Sequence, residues 1–151
     1  MIRMEIIGLE ELEQRFSKAP EKLDEALSKT MEASLLKLTE SVPPYPVRQS
    51  DYVRTGTLGR TLGSSVAGGK GDGKPDIFEV RNQGGAFISG EWGTRLNYAP
   101  HVIGENEQAW MHKGVWWTIK TVAERAASKI ERIWNIFAEE VARYLDRGGN
   151  L

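Results

Sequence analysis

Apolar residues recur along this chain with two different periods, and the switches between them mark out its elements. At the N-terminus Ile2, Met4 and Ile6 alternate with Arg3 and Glu5, a period of two that predicts a half-buried strand ended by Gly8. Leu9, Leu12 and Phe16 then stand three and four apart, with Glu10, Glu11 and Glu13 near the start, where the helix dipole favours acids. A short helix is expected there. Pro20 suits the first turn of a second helix, since its missing N–H would have had no partner in that turn. From it Leu23, Leu27, Met31, Leu35, Leu38 and Val42 form one stripe, while Glu21, Lys22, Asp24, Glu32 and Lys37 take other faces. Pro43 and Pro44 stop this helix, because a proline pushes the residue before it out of helical geometry.

From Pro43 to Gly63 turn residues alternate with Arg48, Arg54 and Arg60, which reads as a long loop with one short helical turn. Strand patterns follow at Leu62 to Ala67, Asp76 to Arg81, Ala86 to Trp92 and Tyr98 to Ile103, a β meander broken by glycine-rich separators. An aromatic connector, Ala109 to Trp117, leads into a last amphipathic helix running from about Thr118 to Arg147. Its stripe is Ile119, Val122, Ala126, Ile130, Ile133, Phe137, Val141 and Tyr144, widened by Ala123, Trp134 and Leu145. Helix, sheet, helix in that order predicts an α+β layer: a small, mainly antiparallel sheet of four to five strands covered by two long amphipathic helices, with long exposed loops. No internal repeat is visible, and one domain over residues 1–151 is expected, ending in a flexible 147–151 tail.

Composition narrows the function more than it identifies it. Twenty basic residues against 21 acidic ones leave no overall positive field of the kind that dominates nucleic-acid affinity, although a local patch stays possible. The absence of cysteine removes disulfides and thiolate chemistry, and two histidines make a zinc site a poor expectation. No apolar stretch reaches signal-peptide or membrane-span length, so a cytoplasmic protein without membrane contact is expected.

Candidate chemistry is sparse. Gly68 to Lys74 has the G-x-x-x-x-G-K spacing of a phosphate loop, but Pro75 stands where serine or threonine must hold magnesium, and a strand pattern follows instead of a helix. His101 and His112, with Glu105 and Glu107 between them, could supply a general base or metal ligands, yet no helical spacing brings them together. Asp51, Asp72 and Asp76 form no acidic motif, and Ser64-Ser65 lacks the glycines of a nucleophile elbow. No catalytic residue, metal site or cofactor is expected. Arg48, Arg54 and Arg60 interleaved with Tyr45 and Tyr52 offer the alternative of a small nucleic-acid-binding domain using loop 43–63. Trp92, Trp110, Trp116 and Trp117 are the other concentration of binding potential. Adjacent Trp116 and Trp117 point in different directions, so one of them is expected to face a partner.

Taken in order, Ile6-Ile7-Gly8-Leu9-Glu10-Glu11-Leu12, Arg54-Thr55-Gly56-Thr57-Leu58 after the proline-rich break, Tyr98-Ala99-Pro100-His101-Val102 to Gly104, and the closing helix resemble the tail-completion, or head–tail joining, family of long-tailed bacteriophages and prophages. The chain departs from that pattern after Gly104, where Glu105-Asn106-Glu107 stands in place of the frequent glycine-threonine pair. The resemblance implies a non-enzymatic α+β virion component, made in the host bacterial cytoplasm. It would form a homo-oligomeric ring, commonly a hexamer, at the top of the tail. Its partners would be copies of itself, the tail-tube protein and a head-closure or connector protein of the neck, with DNA passing through the lumen without specific binding. It also implies that the Arg54 to Leu58 loop reaches a neighbour and that Tyr98 to Val102 is a strand of the central sheet. The residues expected at a subunit or partner interface are Arg48, Tyr52, Arg54, Thr55, Leu58, Trp110, Trp116 and Trp117.

Overall fold

A computed structural model of the chain describes residues 1–7, 20–43, 56–64, 74–83 and 87–147. The short helix expected at Leu9 to Phe16, most of loop 43–63, the glycine-rich 68–73 segment and the 148–151 tail lie outside the described residues.

Three strands form an antiparallel sheet in the order β1-β3-β2: β1 is Ile2–Ile7, β2 Ile77–Asn82 and β3 Phe87–Gly93. Register places Ile2, Met4 and Ile6 opposite Trp92, Gly90 and Ile88, and Phe78, Val80 and Asn82 opposite the same three residues. Period-two alternation therefore gives the sheet one apolar face and one face of Arg3, Glu5, Glu79, Arg81 and Glu91, as suits an antiparallel sheet solvated on one side. On that charged face Arg3 pairs with Glu5, and Arg81 bonds Glu79 at 2.8 Å.

The apolar face carries the first long helix, α1, Pro20–Ser41, 22 residues long and crossing β3 and β2. Glycine at position 90 permits this approach: a Cβ there would lie 2.8 Å from the Met31 sulfur and 3.0 Å from a Leu35 methyl. Two polar groups fasten the layers. The Trp92 indole N–H donates to Thr39 Oγ1 at 2.9 Å, and Asn82 Nδ2 donates to the Asp24 carbonyl at 3.2 Å. Buried Ser34 satisfies its hydroxyl on the Thr30 carbonyl at 2.8 Å.

A short helix, α2, Thr57–Thr61, falls inside the expected loop, and Leu62 makes an isolated bridge with Pro75; residues 65–67 of the strand expected from Leu62 to Ala67 lie outside the described residues. The chain from Tyr98 to Ile103 differs from expectation. It forms a helical turn, α3, Ala99–Ile103, with Pro100 in its first positions. Proline has no N–H for a sheet ladder but fits a first helical turn without loss, which outweighs the apolar pattern there. The described sheet accordingly has three strands rather than four to five.

The closing helix α4, Ile119–Asp146, spans 28 residues and starts at Thr118, whose hydroxyl accepts from the Thr121 N–H at 3.2 Å. It packs along α1 more than on the sheet. Two core clusters show how. Leu35 and Leu38 of α1 share one cluster with Trp92, Trp116, Val122 and Ala126. Leu23 and Leu27 share the other with Ile88 and, at its margin, Trp134, Phe137, Val141 and Tyr144. The two helices thus run antiparallel, one cluster at each end of the pair. Among the described residues no helix is long and apolar enough to cross a membrane.

Candidate interaction surface

The connector between α3 and α4 contains the most exposed large apolar side chain among the described residues. After α3, Gly104 ends the turn by donating its N–H to the Pro100 carbonyl at 2.9 Å, and the 105–107 turn is held to α4 by a 2.9 Å ion pair between Glu105 and Lys120. That pair makes the Lys120 ammonium hold its proton more tightly than usual, chiefly through the hydrogen bond to Glu105. Gln108 then braces the connector from inside, its amide donating to the carbonyls of Val102 at 2.8 Å and Trp116 at 3.1 Å.

Between those braces Trp110–His112 forms one turn of 3-10 helix. It is tied at its start by the Ala109 N–H to the His101 carbonyl (2.8 Å) and at its end by the Lys113 N–H to the Trp110 carbonyl (3.3 Å). Gly114, at φ +75°, reverses the chain behind it, a conformation that side chains rarely adopt. The result is a fixed turn that presents Trp110 at 80% exposure and Met111 at 49%. His112 is turned inward, its ring edge-on to Trp116 with centroids 5.8 Å apart.

The other expected interface residues divide into three groups. Arg48, Tyr52, Arg54 and Thr55 lie outside the described residues. Leu58 and Trp116 are core residues, 4% and 8% exposed, both in the cluster around Trp92 and Val122; their side chains are packed inside the chain and are not part of its surface. Trp117, the neighbour of Trp116, is half-buried, with the Arg125 guanidinium 4.1 Å above its ring, a cation–π contact that covers one indole face. Of the aromatic candidates among the described residues, Trp110 alone combines near-complete exposure with a hydrogen-bonded backbone turn.

The residues weighed for chemistry are not gathered. His101 is exposed and His112 packs on Trp116, while Glu105 is engaged by Lys120. Asp76 accepts from Thr94 Oγ1 and from the Arg95 N–H, both at 3.2 Å. Ser64 is buried. Asp51, Ser65 and Asp72 lie outside the described residues. Among the described residues no three histidine and carboxylate side chains are placed to hold a metal ion.

Two features were not singled out from the pattern. Met111 extends the Trp110 surface, a contribution legible only in that it adjoins a tryptophan in a connector rather than a stripe. Phe137, Val141 and Tyr144 read as core, yet they are only partly buried and line a cavity of about 160 Å³ with Leu23 and Ala26. The available signal was length: α4 is 28 residues and its packing partner 22, so one end of the apolar stripe has less to lie against. Compared with family models, curated proteins and solved structures, the chain matches none.

Proposed function

We propose that this chain is a tail-completion protein of a long-tailed bacteriophage or prophage. In this reading it is a non-enzymatic subunit that assembles with its own copies, as a hexamer, into a ring at the top of the tail. There it joins the tail tube to the head-closure or connector protein of the neck, so that it works first in the bacterial cytoplasm and then in the virion. The observation that carries the assembly half is Trp110: a tryptophan held outward on a fixed turn costs apolar hydration in the isolated protomer and supplies the kind of anchor on which interfaces concentrate their energy. The identity of the assembly rests on the ordered resemblance over Ile6 to Leu12, Arg54 to Leu58, Tyr98 to Gly104 and the closing helix. A mainly antiparallel sheet of four to five strands belongs to the same reading.

Electron microscopy of the purified chain mixed with tail tubes tests the reading. Rings or caps at one tube end are expected. A chain that leaves both tube ends bare, and stays monomeric in sedimentation, refutes it.

A further inference from the structure

A rigid apolar knob and an open apolar pocket sit at opposite ends of α4. The knob is the Trp110–His112 turn with its exposed indole and thioether. Its place at the N-terminal end of α4 is set by Trp116, which shares a core cluster with Val122 and Ala126. The pocket, about 160 Å³, lies between the first turns of α1 and the last turns of α4, over Leu23, Ala26, Phe137, Val141 and Tyr144. At 1.5 Å of rise per residue, Val141 is about 33 Å along the helix from Ile119. A chain therefore cannot fill its own pocket with its own Trp110.

We infer that Trp110 and Met111 of one copy enter the Leu23/Phe137/Tyr144 pocket of the next, making a head-to-tail contact. Charge at the two margins is complementary. Glu107 and Lys113 flank the knob, Lys22 and Glu140 line the pocket, and all four are exposed without an ion-pair partner among the described residues. Seating the knob can set Lys113 against Glu140 and Glu107 against Lys22. Because the two surfaces differ, the contact is heterologous, and repetition of one such contact closes a ring when the rotation allows.

The magnitude of one contact shapes the assembly. A buried aromatic side chain removes roughly 150–250 Å² from water, far short of the ~1,000 Å² that a lasting pair of proteins buries. One knob in one pocket is therefore a weak bond, and closure, which ties every subunit twice, is what makes it hold. The inference rests on the self-assembly part of the proposed function and adds which surfaces meet.

Absence of cysteine from the chain makes a direct test available. The double variant Lys113→Cys/Glu140→Cys puts its two thiols about 30 Å apart in one copy by the helix rise, while a disulfide needs Cα atoms within about 7 Å. Any bridge between the two positions must join two copies. Mild oxidation is expected to give a ladder of covalent multimers on a non-reducing gel. A mixture of the two single variants should stop at the heterodimer. Adding Trp110→Ala, at a position too exposed to unfold the protomer, is expected to slow ladder formation about thirtyfold, the loss of a hot-spot anchor. No ladder from the double variant, or a ladder indifferent to Trp110→Ala, overturns the contact. Tube capping by the unmodified chain separates the two claims. Capping without a ladder rejects this contact and keeps the tail reading; a ladder without capping does the reverse.

Discussion

Trp110 and Trp116 stand six positions apart, and the same side chain meets opposite surroundings at the two positions. Trp116 is 8% exposed and closes the cluster around Trp92, whereas Trp110 is 80% exposed on its turn. Removing the first leaves a large cavity in a packed interior, so Trp116→Ala is expected to cost about 3–5 kcal/mol in urea unfolding. Removing the second leaves nothing unfilled, and Trp110→Ala is expected to stay within about 0.5 kcal/mol of the parent. Equal losses at the two positions would contradict the assignment of one to the core and the other to an interface. Gly90 gives a second contrast at this scale. Gly90→Ala forces a methyl group toward Met31 and Leu35 and is expected to destabilise by about 1–3 kcal/mol. If the cause is that collision, Gly90→Ala costs less in a Met31→Ala background than in the parent, although Met31→Ala is itself destabilising, and a double-mutant cycle measures a favourable coupling; independent losses would point elsewhere.

At the scale of elements, local rules accounted for most of what formed. Pro20 and the Pro43-Pro44 pair bracket α1, whose helix runs Pro20–Ser41, and Thr118 stands at the N-cap of α4. That cap is testable. Thr118→Ala removes the acceptor for the Thr121 N–H and is expected to lower stability by about 1 kcal/mol, with Thr118→Ser recovering most of it. Alternation placed β1, β2 and β3 to within a residue, because the apolar side that faces α1 pins each register, although the central strand β3 also buries Ser89 on its other side. Tyr98 to Ile103 departs from its strand-like pattern for a physical reason. In six residues an apolar pattern cannot distinguish a short strand from a helical turn, and Pro100, which has no N–H for a ladder, decides for the turn. The candidate surface was legible only in part. Tryptophan content drew attention to the connector, but which indole faces outward depends on the braces from Gln108, the His101 carbonyl and Gly114, contacts that composition does not encode.

Among the described residues two antiparallel helices lie with a three-stranded sheet, a core cluster stands at each end of the helix pair, and the two ends are not equally buried. All residues of α4 that are fully buried, Val122 and Ala126, lie in its first third, packed with Trp92 and Trp116. Toward its other end Trp134, Phe137, Val141 and Tyr144 are only partly covered. Opening free energy follows buried apolar contact, so amide exchange should not be uniform along this one helix. In dilute protomer the amides of residues 137–146 are expected to exchange at least about tenfold faster than those of 122–130, a gap of ~1.4 kcal/mol. Fraying alone would also loosen the last turn, but it would be indifferent to protein concentration. Covering of the half-open pocket by a neighbour would not: protection over 137–146 should rise as the chain assembles, and the Trp110→Ala chain should show no such rise at the same concentration. Even protection along α4 in the protomer would mean that its far end is already closed, leaving Trp110 with no pocket to enter.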